Sequence, residues 1–414
     1  MIVDSQRQSS KAVNTAVSKA RNGKQRVLFL APGDIGKGRV EPISWMQTCR
    51  AYAMRGFDVS LVTLNVRRPD AISAHDVWAH YGLRPCFHIT MVPTLLGRDA
   101  RVSSFRLRAG LTSLAFALSV TIRQALRPTT VVIHTRLPIL AAPFILLGRL
   151  LPPPRRPRIV FETHSLPRKS HQWVVRGADL VVTNSEKLAA DIRDDFRIPA
   201  ERVRHAPLPP YNPIKPHDKH KARMEVGVPT EAKVVCYVGK MTHEHNEFFL
   251  RTAAELVDRV RDFRFLLVGG NPEILEWTRD RARELDVADA LLLPGFVPPA
   301  KVDWYQAAAD VLVYHMPDSM QVFPYCTPAK GYEYQAAERP IVATDIPLFE
   351  EVFGADRDRA IRVRERTPEA LATGVIQALA LEDGGRAMTE RAARWVKSRT
   401  WDRRAGAILD ALGL

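Results

Sequence analysis

The sequence predicts an α/β protein built from two doubly wound, mostly parallel sheets. Three observations carry that expectation. Short apolar runs alternate with helical patterns along most of the chain, the signature of strand–helix–strand units. The runs are continuously apolar, as strands covered on both faces require. The alternation stops once, around residues 206–223, where proline and charge accumulate, and then restarts. With 414 residues there is room for two domains with separate cores.

The elements follow in order. The start MIVDSQRQSSKAVNTAVSKARNGK has no apolar core, so 1–24 is expected to be a loose tail and not a secretory signal. In QRVLFLAPGDIGKGR, Val27–Leu30 is a buried strand running into a glycine loop. A helix, a turn at Gly56 and a second strand, Val59–Leu64, complete a βαβ unit. TTVVIHTRLP, RIVFETHSLP and ADLVVTNSEKLAADI add three more strands, each leading into a loop or helix. Beyond the linker come the strands of AKVVCYVGK, FRFLLVGG, LLLPGF, VLVYH and PIVATD, with helices between them. The final helix, RWVKSRTWDRRAGAILDALGL, is amphipathic and has no strand after it, so it must pack on one domain or bridge both. The expected division is 25–207, 208–395, and 396–414 packing back toward the first domain. Two such sheets would turn their C-terminal strand ends toward a common cleft, where open α/β sheets bind ligands.

Composition is that of a globular protein, with 46% hydrophobic and 25% charged residues. Cys49, Cys86, Cys236 and Cys326 are far apart and lack metal-ligand spacing, so they are expected to be small buried hydrophobes. The net charge of +15 is uneven: residues 1–160 carry 24 Lys+Arg against 7 Asp+Glu, and the remainder carries 36 against 38. Such a basic half suits nucleic acid or an anionic membrane surface. No nucleic-acid recognition module accompanies the charge, so nucleic acid is not expected as a partner.

Several stretches carry chemistry. GDIGKGR is neither a Walker loop, since Gly-Lys is followed by glycine, nor a dinucleotide fingerprint. Gly36 and Gly38 would bring the backbone close to an anion at a helix N-terminus, or would only form a tight turn. YVGK sets Gly239 and Lys240 at a strand end, where the lysine could meet a phosphate or stay solvated. LPGFVP gives a rigid loop whose Val297 could offer backbone groups to a base. FETHSLPR clusters Glu162, His164 and Arg168 at a strand end, and IHTRLP does the same with His134 and Arg136. No nucleophile has a companion base, and neither a G-x-S-x-G elbow nor H-E-x-x-H is present, which leaves hydrolase and zinc chemistry unsupported.

YCTPAKGYEYQAAERPIVATDIP opens like a helix, with Thr327 as N-cap and Pro328 at the first position. Lys330 then stands in the first turn, where the helix dipole favours an acid. Glu333 follows three residues on. The pair is either an intrahelical salt bridge, contributing about 0.2–0.5 kcal/mol, or a site in which Lys330 meets a diphosphate and Glu333 accepts from ribose hydroxyls.

These stretches, in this order, resemble the retaining "group 1" glycosyltransferases of the GT-B fold, two Rossmann-like domains, from about Lys24 to the end. TPAKGYEYQAAERPIVATDIP is similar to that family's Ser/Thr-Pro-x-Lys, Glu-Tyr and Ala-x-x-x-Pro-Val-Val-Ala run. YVGKMTHEHNEFFLRTAAEL, LLVGGNPE, LPGFVPPAKVDWYQAAADVLV and ADLVVTNSEKLAADI support it. The resemblance implies a nucleotide-sugar donor, with Glu333 on the ribose, Lys240 and Lys330 on the diphosphate, and Val297 by the base. Gly36 and Gly38 would approach the phosphate, His164 would stand by the donor sugar, and no metal or other cofactor is implied. Gly239, Tyr325, Thr327 and Pro328 complete the donor side, and Arg136 and Arg168 are acceptor-side candidates. The chain departs from the pattern twice. Tyr325 occupies the place, eight residues before Glu333, of an acid that contacts the sugar in many members. His245 or Asn246 falls near an expected second lysine.

SSFRLRAGLTSLAFALSVTIRQALRP flanks an apolar body with Arg106, Arg108, Arg123 and Arg127. Its uncharged run, Ala109 to Ile122, is shorter than the ~20 residues that span a bilayer. It is a buried helix or one lying in a membrane interface. ILAAPFILLGRLLPPPRRPR repeats the theme. With the basic balance, these favour a peripheral enzyme on the inner face of the cytoplasmic membrane. It would take a lipid-linked or saccharide acceptor for cell-surface polysaccharide or glycoconjugate synthesis. The alternatives are a catalytically silent nucleotide- or sugar-binding protein and a sugar-nucleotide epimerase on the same plan.

Overall fold

The computed structural model describes residues 25–31, 33, 35, 40–65, 76–93, 115, 118, 132–149, 151, 156–211, 217–317, 325 and 329–414. The chain divides into two compact units. The first takes the described residues up to Ala206 except His80–Gly82, together with Ala405–Leu414; the second takes Pro207–Arg404 and His80–Gly82.

The first unit is a seven-stranded parallel sheet of β1 (Arg26–Ala31), β2 (Asp58–Asn65), β3 (His88–Pro93), β4 (Val132–Thr135), β5 (Arg158–Thr163), β6 (Leu180–Thr183) and β7 (Val203–His205). Its order is β3-β2-β1-β4-β5-β6-β7. The order reverses between β1 and β4, which pair from Val27↔Val132 to Leu30↔Thr135. Phe29, Ile133, Val160, Phe161 and Val181 are buried on these strands, so the sheet is covered on both faces. Helix Val40–Met54 returns from β1 and buries Trp45, Met46, Cys49 and Tyr52. At Gly33 a Cβ would overlap the Trp45 ring, so the loop after β1 needs glycine there for packing.

The second unit is a six-stranded parallel sheet of β8 (Lys233–Val238), β9 (Phe263–Val268), β10 (Leu291–Gly295), β11 (Val311–Tyr314), β12 (Ile341–Thr344) and β13 (Ile361–Val363), ordered β10-β9-β8-β11-β12-β13. Its reversal lies between β8 and β11, paired at Val311↔Val235 and Leu312↔Cys236. Helices begin where capping chemistry is written in the sequence. Thr242 accepts from His245 N, Asn271 from Ile274 N ahead of Pro272, and Thr367 from Ala370 N ahead of Pro368.

Two expectations are corrected. The sheets hold three further strands, β3, β7 and β13. The stretch expected to be aperiodic linker contains the start of helix Lys219–Val226, capped by Asp218 and ended by Gly227 at φ 70°. The apolar run Ala109–Ile122 lies outside the described residues apart from positions 115 and 118.

Candidate active site

In the second unit, the C-terminal ends of β8, β9 and β10 meet in a seam of glycines. Gly239 N donates to Val268 O and Gly269 N donates to Gly295 O. Gly269 (φ +132°) could not carry a Cβ, which would overlap the Gly239 carbonyl oxygen. A Cβ at Gly239 itself would lie 2.5 Å from Tyr237 Oη. That hydroxyl donates to the Lys240 carbonyl at 3.1 Å, which fixes the turn and leaves Lys240 exposed beside the sheet's reversal point. Val297, partly buried, follows two residues after Gly295.

The helix expected after β11 is Ala329–Ala336. Lys330 lies in its first turn, and its Nζ donates to Glu333 Oε2 at 2.8 Å, so the intrahelical pair does form. Glu333 is 5% exposed, and Gln306 Nε2 approaches the same oxygen at 3.5 Å. Several contacts hold this helix, among them a hydrogen bond and a close backbone approach. Val238 N, at the end of β8, donates to Tyr334 Oη at 2.9 Å, and a Cβ at Gly331 would overlap Val352. Thr327 and Pro328 lie outside the described residues; Tyr325 is half-buried in a turn.

The structure separates the two residues considered for the missing second lysine. Asn246 turns away to donate to Thr278 Oγ1 at 2.6 Å. His245 sits at the N-terminal turn of helix His243–Val257, stacked on Tyr237, with Thr242 Oγ1 3.1 Å from its Nδ1. Burial holds His245 below the ordinary histidine range, opposed by a hydrogen bond to the His315 backbone and by the Glu244 charge. His315, directly after β11, stacks on Phe248 with ring centroids 3.7 Å apart and has Thr344 Oγ1 3.1 Å from Nδ1. His315 has a signal in the sequence, a polar residue directly after the apolar run of an inner strand.

In the first unit, Glu162 is the last residue but one of β5, with its carboxylate fully buried. A carboxylate can only accept, and among the described residues the donors His134, Arg136 and His164 converge on it. His134 Nε2 reaches Oε2 at 2.9 Å, while Arg136 Nη2 and His164 Nε2 reach Oε1 at 2.6 and 2.8 Å. His134, buried on β4, has Tyr52 Oη 3.0 Å from Nδ1. Charge-assisted bonds on this scale are what allow a carboxylate to be buried at all. The structure thus joins His164 and Arg136, while Arg168 is exposed where the short turn Lys169–His171 begins. Gly36 and Gly38 lie outside the described residues. Tyr52 and the anchoring role of His134 were not foreseen.

Comparison with known proteins follows the same division. Residues 43–209 match the family model for glycosyltransferase family 4, and residues 232–381 match glycosyl transferases group 1. A D-inositol 3-phosphate glycosyltransferase of Corynebacterium urealyticum is 26% identical over 257 residues, 59% of this chain and 58% of that protein. A 2-deoxystreptamine glucosyltransferase of Streptomyces kanamyceticus is 29% identical over 156 residues, 36% of this chain and 40% of that protein. The chain spans about half the length of the curated relatives it matches. Among solved structures, sucrose-phosphate synthase from Thermosynechococcus elongatus aligns with TM-score 0.69 at 17% identity, covering 94% of this chain and 98% of that one. HepE of Anabaena in complex with UDP aligns with TM-score 0.66 at 14% identity, covering 94% and 100%. Two family models that together span most of the chain, and two doubly wound sheets of matching fold, place it in one family: the chain belongs to the group 1 glycosyltransferases and has their GT-B fold.

Proposed function

We propose that the protein transfers a hexosyl group from a nucleoside diphosphate sugar to a lipid-linked or saccharide acceptor, with retention and without a metal. The observation that carries this reading is the Lys330–Glu333 pair, 2.8 Å apart on a helix tied through Tyr334 to the strand that leads into Gly239–Lys240. Glu333 is a carboxylate suited to a ribose diol, and Lys330, Lys240 and the helix N-terminus offer positive charge to a departing diphosphate. Solved structures of HepE hold UDP, UDP with glucose, and UDP-glucose, which makes a uridine nucleotide the first donor to try. His164 would act at the donor sugar, and Arg136 and Arg168 on the acceptor side; no double-displacement nucleophile is assigned.

Calorimetric titration with UDP, GDP and dTDP tests the binding step, and a nucleotide-sugar panel with NMR of the product's anomeric carbon tests transfer and retention. Binding of no nucleotide would overturn the proposal. Binding without transfer or donor hydrolysis would favour the silent alternative, for which Tyr325 in the place of an acid is the motive. Activity that EDTA abolishes would refute metal independence.

The acceptor is proposed to be presented at an anionic leaflet, in cell-surface glycoconjugate synthesis. Exposed Leu137, Leu146 and Trp173 in the first unit support this, as does that half's excess of basic residues. Among the described residues no helix is long and apolar enough to cross a membrane. Co-sedimentation with phosphatidylglycerol vesicles, but not with phosphatidylcholine vesicles, is expected at low salt. Equal indifference to both would end the idea.

A further inference from the structure

We infer that Glu162 is a positioning residue for the transfer reaction, holding His164 as the Nε2–H tautomer and fixing Arg136 beside it. The inference rests on the transferase reading for where its effect is felt. Its geometry stands alone. Glu162 Oε1 accepts from both His164 Nε2 and Arg136 Nη2, at 2.8 and 2.6 Å, and both of those side chains keep partial exposure at the ends of β5 and β4. The other oxygen, Oε2, is held from behind by His134 Nε2 at 2.9 Å. His134 is itself fixed by Tyr52 Oη, 3.0 Å from Nδ1 on helix Val40–Met54. Because a carboxylate offers no proton, each histidine nitrogen facing it must carry one. Nδ1 of a neutral His134 then accepts from the Tyr52 hydroxyl, so every proton in the relay has a taker. Glu162, His134 and Tyr52 are all fully buried, so the carboxylate cannot swing to another partner.

Stability alone does not call for such an arrangement, because buried ionic groups are often replaced by apolar ones at no loss. What the relay supplies is orientation: it links a helix and two inner strands to two groups at the C-terminal edge of the sheet. The candidate nucleotide residues among the described ones, Lys240, Val297, Lys330 and Glu333, belong to the other unit. Disturbing Glu162 should therefore change turnover and leave nucleotide affinity alone.

The test compares Glu162→Gln, His164→Ala and the double variant. Glu162→Gln should lower kcat roughly tenfold or more, the scale on which lost orienting partners act, with the donor KM held. The double variant should lose less than the product of the two single losses, as expected for residues acting as one unit. Unchanged kcat in Glu162→Gln, or losses that multiply in the double variant, would overturn the inference. Should Glu162→Gln fail to fold, Tyr52→Phe carries the same test with a smaller kcat loss at constant KM. Nitrogen-15 NMR of the histidine rings, with His164 assigned by its absence from His164→Ala, separates this from failure of the transferase reading. His164 should be protonated at Nε2 in the wild type and released to mixed tautomers in Glu162→Leu. A mixed tautomer in the wild type would overturn the positioning role even if no transfer is ever seen.

Discussion

Replacing Glu333 with alanine should have two effects of different size. The first is on stability. An exposed intrahelical pair contributes about 0.2–0.5 kcal/mol, whereas breaking a fully buried pair costs about 3–5 kcal/mol. Here the carboxylate is buried, but Lys330 keeps 21% of its side chain exposed and can turn to water. The cost should fall between those limits, at about 1–2 kcal/mol, or a Tm lower by roughly 2–8 °C for a unit of this size. The second effect is on the donor. Hydrogen bonds to a charged acceptor contribute about 1.5–3 kcal/mol each, and in this protein Glu333 must loosen its bond to Lys330 to make them. A net loss of about 3 kcal/mol corresponds to roughly 150-fold weaker binding of a nucleoside diphosphate. Calorimetry on the folded variant measures this directly, with 2′-deoxy-UDP as an internal control. The wild type should prefer UDP over the deoxy analogue, and the variant should lose that preference. A folded Glu333→Ala protein with wild-type affinity and unchanged preference would refute the ribose assignment.

Gly269→Ala forces a Cβ onto the Gly239 carbonyl at φ +132°, and should destabilise the second unit by more than about 2 kcal/mol. A thermal melt within a degree or two of wild type would contradict the glycine seam. His245 is held below the ordinary histidine value of about 6.5 by burial. Between that value and its own lowered one the unfolded chain binds a proton that the folded protein does not, so stability is full above about pH 6.5 and falls as pH drops below it. His245→Gln should flatten the decline in Tm between pH 7 and 5, leaving the slope from His80, which burial also lowers. An unchanged slope would show that His245 is not a source of it. Lys240→Met should weaken nucleotide binding and reduce its dependence on ionic strength. Identical binding at all salt concentrations would mean Lys240 is merely solvated.

Which strands could be recognised in the sequence follows from where they sit. An inner strand of a parallel sheet is covered on both faces and on both edges, so QRVLFLA, VVIHT, FRFLLV and VLVYH each carry an unbroken apolar run of three to five residues. An edge strand has one neighbour, and that pressure relaxes. Three of the four edges, β3, β7 and β13, are the strands that went unrecognised. Two of them are three residues long with arginine in the middle, Val-Arg-His and Ile-Arg-Val, which a reading of apolar runs has no means to separate from a loop. The fourth edge, β10, was legible because Leu291–Leu293 is apolar despite its position. Helix Lys219–Val226 was hidden for a related reason: four of its eight residues are basic or histidine, so its Asp218 cap and Gly227 stop were the signals to follow.

The candidate site divides by sequence distance. Lys330 and Glu333 are one helical turn apart, so their meeting could be read from spacing. Tyr52, His134 and Glu162 are brought together across 82 and 28 residues, and only the strand order decides that. A signal was present all the same, in a histidine and a glutamate set within inner apolar strands, where burial obliges each to find a partner. The two carboxylates also differ in a way that bears on their roles. Glu333 has one charged partner, on its own helix and partly open to water, so a ligand diol can compete for it at modest cost. Glu162 is gripped from both sides by His134, Arg136 and His164, the last two charged or chargeable and partly exposed. Releasing it would strand those donors and leave a bare charge in the core, a cost of several kcal/mol that no ligand hydroxyl returns. A carboxylate that can exchange partners suits binding, and one that cannot suits holding something else in place.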